Sequence, residues 1–265
     1  MRTDELDYDL PGHRIAQRPL EPRDAARLLV DRGAPRPPRD ATVRDLPGEL
    51  EAGDLLVVND TRVLPARVAV RRGSGGIGEV LLLHELGDGK PGWWEALCRP
   101  SRKLEPGSEV TSLGGRIAFD VGDDLGRGRR LVRPRVVGPG APLPGHDRTR
   151  LLDALHSEGE MPLPPYITET LSDPERYQTT YSARPASAAA PTAGLHLTTP
   201  LLEDLRRKGV KVVSVELVVG LDTFRPVSSE QREDHEIHSE FYSVPPQTWH
   251  EVTATRATGA QVVAV

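Results

Sequence analysis

The change of texture at Ala66, and its reversal near Leu151, constrains this chain more than any other feature. Over 66–150 short apolar runs are parted by glycine, at 79–83, 93–98, 116–121 and 130–137. Each has strand length and none keeps a helical period. The last sets Arg133 and Arg135 against Val132 and Val136, as a half-exposed antiparallel strand should. The region predicts a small β-barrel or sandwich, with 138–144, rich in Gly and Pro, as its exit. On either side helix and strand alternate. Gly53-Asp54 leads into an apolar run at 55–58, the length of a buried strand, and 21–30 holds a short helix or strand. Further on, 151–157 predicts a short helix and 162–165 a rigid extended stretch. Pro200 opens a helix over 200–208 that carries Leu201, Leu202 and Leu205 on one face and stops at Gly209. Strand, helix and strand follow at 210–219, 247–258 and 261–265. The expected fold is α/β: a discontinuous α/β domain with an inserted small antiparallel β-barrel or sandwich domain. Residues 1–65 form its first part, 66–150 the barrel and 151–265 the second part. The last apolar run stops at Val265 without cap or turn, so the second part reads as cut short.

Composition narrows the function classes. Cys98 is the single cysteine among 265 residues, which excludes an intramolecular disulfide and a thiolate metal site. The first nine residues are acidic and lack an apolar segment, and no run nears the roughly 20 apolar residues that span a bilayer. A cytoplasmic monomer with no membrane partner is expected. Net charge is −5, but 66–150 carries 13 Arg and 2 Lys against 10 Asp and Glu, a local +5, leaving −10 elsewhere. That basic middle is a candidate phosphate-facing surface. The alternative is a solvated, arginine-rich face, since 30 of the 34 basic residues are Arg.

Four constellations can carry chemistry. Asn59-Asp60-Thr61-Arg62 ends a buried strand, where α/β sheets place binding groups; it also suits an Asx turn. Pro191-Thr192-Ala193-Gly194-Leu195-His196 is small-residue backbone that a ligand can approach closely, followed by Thr198 or Thr199 as a helix cap. Exposed N–H groups at that helix start suit an anion and His196 is a candidate for proton transfer; the alternative is a loop and N-cap with a structural histidine. The run from Gly220 to Pro226 follows a second buried strand, where Arg225 can grip a carboxylate or phosphate; it reads equally as a surface turn. His235 and His238 have an H-x-x-H spacing, but H-E-x-x-H is absent and no third ligand stands near. No metal is therefore expected, and an acid/base pair of His238 with Glu240 is the better reading. Neither G-x-G-x-x-G nor a P-loop motif occurs.

Taken in order, these stretches resemble one family. They are Asp7-Tyr8 with Leu10-Pro11, Ile15-Ala16-Gln17, Arg23-Asp24, Gly53-Asp54-Leu55-Leu56-Val57, Asn59-Asp60-Thr61-Arg62-Val63 and Trp94-Glu95-Ala96-Leu97. Pro162-Leu163-Pro164-Pro165-Tyr166-Ile167, Glu175-Arg176-Tyr177-Gln178-Thr179 and the runs at 191–196, 223–227 and 238–240 complete the match. The family is the S-adenosylmethionine:tRNA ribosyltransferase-isomerases of queuosine biosynthesis. The resemblance implies a discontinuous α/β domain with an inserted barrel. It implies transfer and isomerisation of the ribosyl part of S-adenosylmethionine onto 7-aminomethyl-7-deazaguanine in a tRNA anticodon. Epoxyqueuosine forms, adenine and methionine leave, and S-adenosylmethionine serves as substrate with no cofactor. Proton transfer falls to His196, His238 and Glu240. Substrate binding falls to Asn59, Asp60, Thr61, Arg62, Pro191, Thr192, Ala193, Gly194, Thr223 and Arg225. Val218 stands where the family carries a histidine and Asp222 where it carries a glycine. Family members also continue past Val265. On those departures the alternative is a non-catalytic or diverged RNA-binding homologue, or an inactive fragment.

Overall fold

The computed structural model describes residues 1–87, 89–138, 148–220, 229–230, 232–234 and 240–265. A hairpin of β1 (Arg27–Val30) and β2 (Arg39–Thr42) precedes the central strand β3 (Leu55–Asn59). Two strands from far along the chain, β13 (Lys211–Val218) and β15 (Val262–Ala264), flank β3 in parallel, and β14 (Phe241–Ser243) pairs antiparallel on the outer edge of β13. Leu55, Leu56 and Val58 are all buried, as a parallel strand covered on both faces requires. The strand starts are tied by Asp54, itself buried. Its Oδ1 accepts from Gln261 N (2.8 Å), its Oδ2 from Glu51 N (2.7 Å), and its carbonyl from Lys211 N (2.9 Å). One residue thus ties β3 to both neighbours, by its side chain toward β15 and by its carbonyl toward β13.

Helix α2 (Thr199–Lys208) covers this sheet with Leu201, Leu202 and Leu205, which pack on Leu56, Val58, Val43 and Val210. Each buried leucine contributes roughly 2 kcal/mol of transfer free energy. Helix α3 (Pro246–Ala257) contacts β3, β13 and β15 without an apolar stripe. Its buried positions are Thr248 and Thr255, and the Thr248 hydroxyl donates to Ser214 O at 2.7 Å. The expected helix is therefore present, with threonines rather than leucines at its buried positions.

The insertion is a closed antiparallel barrel. Strands β5 (Arg67–Arg72), β6 (Ile77–Glu85), β7 (Trp94–Arg99), β10 (Arg129–Val136), β9 (Ile117–Gly126) and β8 (Glu109–Ser112) follow in that order, and β8 returns to pair with β5. Val68, Val70, Val80, Cys98, Phe119 and Val132 fill the interior. Helix α1 (Arg148–Glu158) adds Ala154 and Leu155 to the same core, and β11 (Gly159–Glu160) pairs with β5. The helix read from the sequence as the return of the outer domain instead caps the barrel, whose packing runs through Glu160 rather than stopping at Arg150. Leu155 is wholly buried there, within the barrel core. Gly159 allows this turn-back: a Cβ on it would lie 1.8 Å from Pro65 O.

From Met161 onward the chain crosses back to the sheet. β12 (Arg184–Ser187) lies parallel to β4 (Thr61–Val63). The N-terminal segment holds this crossing in place. Gln17 binds Tyr166 O and Thr168 N, and Arg23 donates to the carbonyls of Glu175, Gln178 and Leu195. Among the described residues no helix is long and apolar enough to cross a membrane.

Candidate active site at the carboxyl ends of the central strands

β3 and β13 run parallel, so their carboxyl ends open on the same edge, where ligands bind in sheets of this kind. The quartet at the end of β3 divides in two. Asn59 is buried, its Oδ1 accepting from Thr61 N (3.1 Å) and Leu217 N (3.2 Å) while its Nδ2 donates to Leu217 O (2.8 Å). Thr61, 1% exposed, places its hydroxyl 3.0 Å from Asn59 Oδ1 and 3.2 Å from Leu217 O. These two side chains latch β13 to β3 and face no open space. Asp60 and Arg62 do. Asp60 is fixed by its backbone, N–H to Val215 O (3.0 Å) and carbonyl to Ala183 N (2.8 Å). Its Oδ1 is buried with no hydrogen-bond partner among the described residues. Arg62 donates to Ser182 Oγ (3.1 Å), pairs with Glu175 and lines a cleft of about 1010 Å³ between the barrel and the returning chain.

The second constellation lies behind this one. Ser187, at the end of β12, donates to Ala189 O (2.7 Å) and accepts from Val219 N (3.0 Å), so the loop after it is pinned to the end of β13. Thr192 and Ala193 are exposed, Pro191 is half-buried and Gly194 is buried, in a short 3-10 turn over Thr192–His196. A Cβ on Gly194 would stand 2.2 Å from Tyr181 Oη, so only glycine closes this turn. Burial pushes the Tyr181 and Tyr177 phenols up to about 12, which removes them as bases near neutrality. His196 Nδ1 lies 3.1 Å from Ala193 O. As the donor in that contact it leaves Nε2 with a lone pair, the form a general base needs.

The amino end of α2 differs from expectation. Thr198 Oγ1 accepts from Leu201 N (3.3 Å), Thr198 O accepts from Leu202 N (3.0 Å), and Pro200 has no N–H. Asp24 Oδ2 lies 3.3 Å from Thr198 Oγ1. The cap and the chain's own carboxylate already occupy the place expected for a ligand anion.

Glu240 sits where β14 begins, its Oε1 accepting from Gly220 N at 3.0 Å beyond the end of β13. His238, His235, Asp222, Thr223 and Arg225 lie outside the described residues. Beside Glu240 opens a smaller pocket of about 510 Å³, lined by Val218, Phe241, Ala186, Trp94, Arg148 and His84. His84 comes from the barrel; its ring meets Phe241 at 5.3 Å and its Nε2 lies 3.9 Å from Glu95 Oε2. The sequence did not point to it, because no motif flanks His84 and only closure of the barrel onto the sheet brings it to Val218. Among the described residues no three His, Cys, Asp or Glu side chains group as a metal site.

Comparison with known proteins gives this arrangement its family. A model described as queuosine biosynthesis protein matches residues 3–265. The S-adenosylmethionine:tRNA ribosyltransferase-isomerase of Rubrobacter xylanophilus is 47% identical over 248 residues, covering 94% of this chain and 69% of that protein. Its counterpart in Symbiobacterium thermophilum is 46% identical over 270 residues, covering 100% of this chain and 74% of that protein. The crystal structure of an S-adenosylmethionine tRNA ribosyltransferase from Thermotoga maritima is 29% identical with a TM-score of 0.41, covering 98% of this chain and 68% of that one. With close sequence identity across nearly its whole length, the chain belongs to the S-adenosylmethionine:tRNA ribosyltransferase-isomerase family of queuosine biosynthesis.

Proposed function

We propose that this chain transfers and isomerises the ribosyl part of S-adenosylmethionine onto 7-aminomethyl-7-deazaguanine in the anticodon region of tRNA, forming epoxyqueuosine. The reaction begins with loss of a proton from the carbon beside the sulfonium, which the adjacent positive charge acidifies. Ring opening expels adenine, the nucleobase amine attacks the sugar, and closure of the epoxide expels methionine. Such a course needs a base, an acid for adenine and acceptors for the ribose hydroxyls. His196 suits the base; Glu240 and His238 complete the proton transfers. Asp60 and Arg62 hold substrate with the turn of Pro191, Thr192, Ala193 and Gly194, of which Thr192 and Ala193 are exposed, and Thr223 and Arg225 are assigned from sequence alone. S-adenosylmethionine is consumed as a substrate, and the scheme calls for no cofactor. Asn59 and Thr61 support the site by fixing β13 rather than by touching substrate.

The observation that carries this reading is the buried, unpartnered Oδ1 of Asp60 at the end of β3. A carboxylate oxygen out of water and without a donor is costly, and a ligand hydroxyl supplies what it lacks. Titration of S-adenosylmethionine into the Asp60→Ala variant tests it: affinity falls at least about tenfold if Asp60 holds a ribose hydroxyl. Unchanged affinity and unchanged adenine release remove Asp60 from the site.

A further inference from the structure

One end of the barrel gathers cations that the described residues leave without carboxylate partners. Elsewhere the exposed arginines mostly pair with carboxylates, as Arg18 does with Glu169, Arg27 with Asp40 and Arg184 with Glu216. Arg71, Arg72, Arg99, Arg102 and Lys103 have no such pairing among the described residues, and the Nε of Arg72 is buried without a partner. The strand register puts them on a single rim. Arg71 lies opposite Ile77 across the first hairpin, and Glu79, two residues on, lies opposite Arg99. Arg102 and Lys103 follow in a short 3-10 turn over Ser101–Lys103.

This rim is built, not merely solvated. The turn is anchored from inside by Arg130, 4% exposed, whose Nε donates to Ser101 O at 3.0 Å. The nearby carboxylates Glu79 and Glu109 are taken by Arg67 and Arg135, leaving exposed Glu105 against five cations. Arg99 also lines the 1010 Å³ cleft that Arg62 and Glu175 line beside the candidate active site. One groove therefore joins the cationic rim to the strand end where the chemistry is placed.

We propose that this rim grips the sugar-phosphate backbone of the RNA substrate and feeds the anticodon arm along the cleft toward Arg62; the proposal rests on the reading of the substrate as tRNA. Phosphates attract unpaired guanidinium and ammonium groups without regard to sequence, and each contact adds to the salt dependence of binding. The test measures the affinity of a tRNA transcript across a salt series for the parent chain and for a variant carrying R71Q, R99Q, R102Q and K103Q. All four side chains are exposed, so the substitutions leave the core intact. At low salt the variant binds tRNA at least about tenfold more weakly, and its slope of log affinity against log salt is smaller by about 3. Its affinity for S-adenosylmethionine is unchanged. Exchange of the three arginines for lysine restores the slope, while R27Q, away from the barrel, leaves it alone. A variant that binds tRNA with the parent's affinity and slope overturns the rim while the enzymatic reading stands, and so does an equal loss in R27Q. A parent chain without salt-dependent tRNA binding overturns both.

Discussion

At the residue scale, the decisive division runs through Asn59-Asp60-Thr61-Arg62. The Asx-turn character of these residues was legible in the sequence, and Asn59 and Thr61 obey it. The orphaned oxygen of Asp60 was not legible, because its surroundings come from segments distant in the chain, such as those of Ala183 and Val215, which bind its backbone. Asp60→Ala should therefore separate function from stability. Removing an unsatisfied buried acceptor leaves the melting temperature unchanged or higher, while kcat/KM for adenine release falls about 100-fold, or ~2.7 kcal/mol. A parallel fall in melting temperature would show instead that Asp60 is structural. Gly194→Ala drives a methyl group into Tyr181 Oη and costs roughly 2 kcal/mol, read as a lower urea midpoint. Removing the phenol oxygen in Gly194→Ala/Tyr181→Phe recovers part of that loss; no recovery would locate the strain elsewhere.

At the element scale, strands β3, β13 and β15 and helix α2 were read within a residue or two, because their apolar runs have the right lengths and carry explicit caps. Helix α1 was found but attached to the wrong body, since an eleven-residue amphipathic segment does not announce which core it covers. The Gln17, Arg23 and Gln178 motifs carry the family resemblance, and in the fold they serve as frame. Gln178 mimics a strand, exchanging two 2.9 Å hydrogen bonds with the backbone of Val63. The Asn59 latch is the comparable device between β3 and β13. Asn59→Ala leaves the half-buried N–H of Leu217 without its partner and its carbonyl with Thr61 Oγ1 alone, and lowers unfolding free energy by about 1–2 kcal/mol in denaturant titration. A loss below about 0.5 kcal/mol would mean that β13 holds its register without it.

At the scale of the whole molecule, the barrel and the sheet meet where His84, Val218 and Phe241 line one pocket, a juxtaposition of residues more than 130 positions apart that no local pattern encodes. Burial across both bodies also sets the alkaline limit of stability. It pushes the Cys98 thiol up to about 12, along with the Tyr177 and Tyr181 phenols. All three are neutral in the folded chain, while the unfolded chain loses those protons from its ordinary values of 9.0 for the thiol and 10.0 for the phenols. Their contribution is intact below about pH 9 and is lost as pH rises toward 12. The urea midpoint should hold up to pH 9 and then decline; a midpoint flat to pH 11 would contradict the burial of these groups. The central claim is that a site at the carboxyl ends of β3 and β13 performs ribosyl transfer from S-adenosylmethionine to tRNA. Its most direct test incubates the chain with S-adenosylmethionine and tRNA bearing 7-aminomethyl-7-deazaguanine, and follows free adenine and methionine together with the modified nucleoside. The account predicts release of both in equal amounts with epoxyqueuosine, dependent on the tRNA and strongly reduced in Asp60→Ala; no adenine release above the level without tRNA would contradict it.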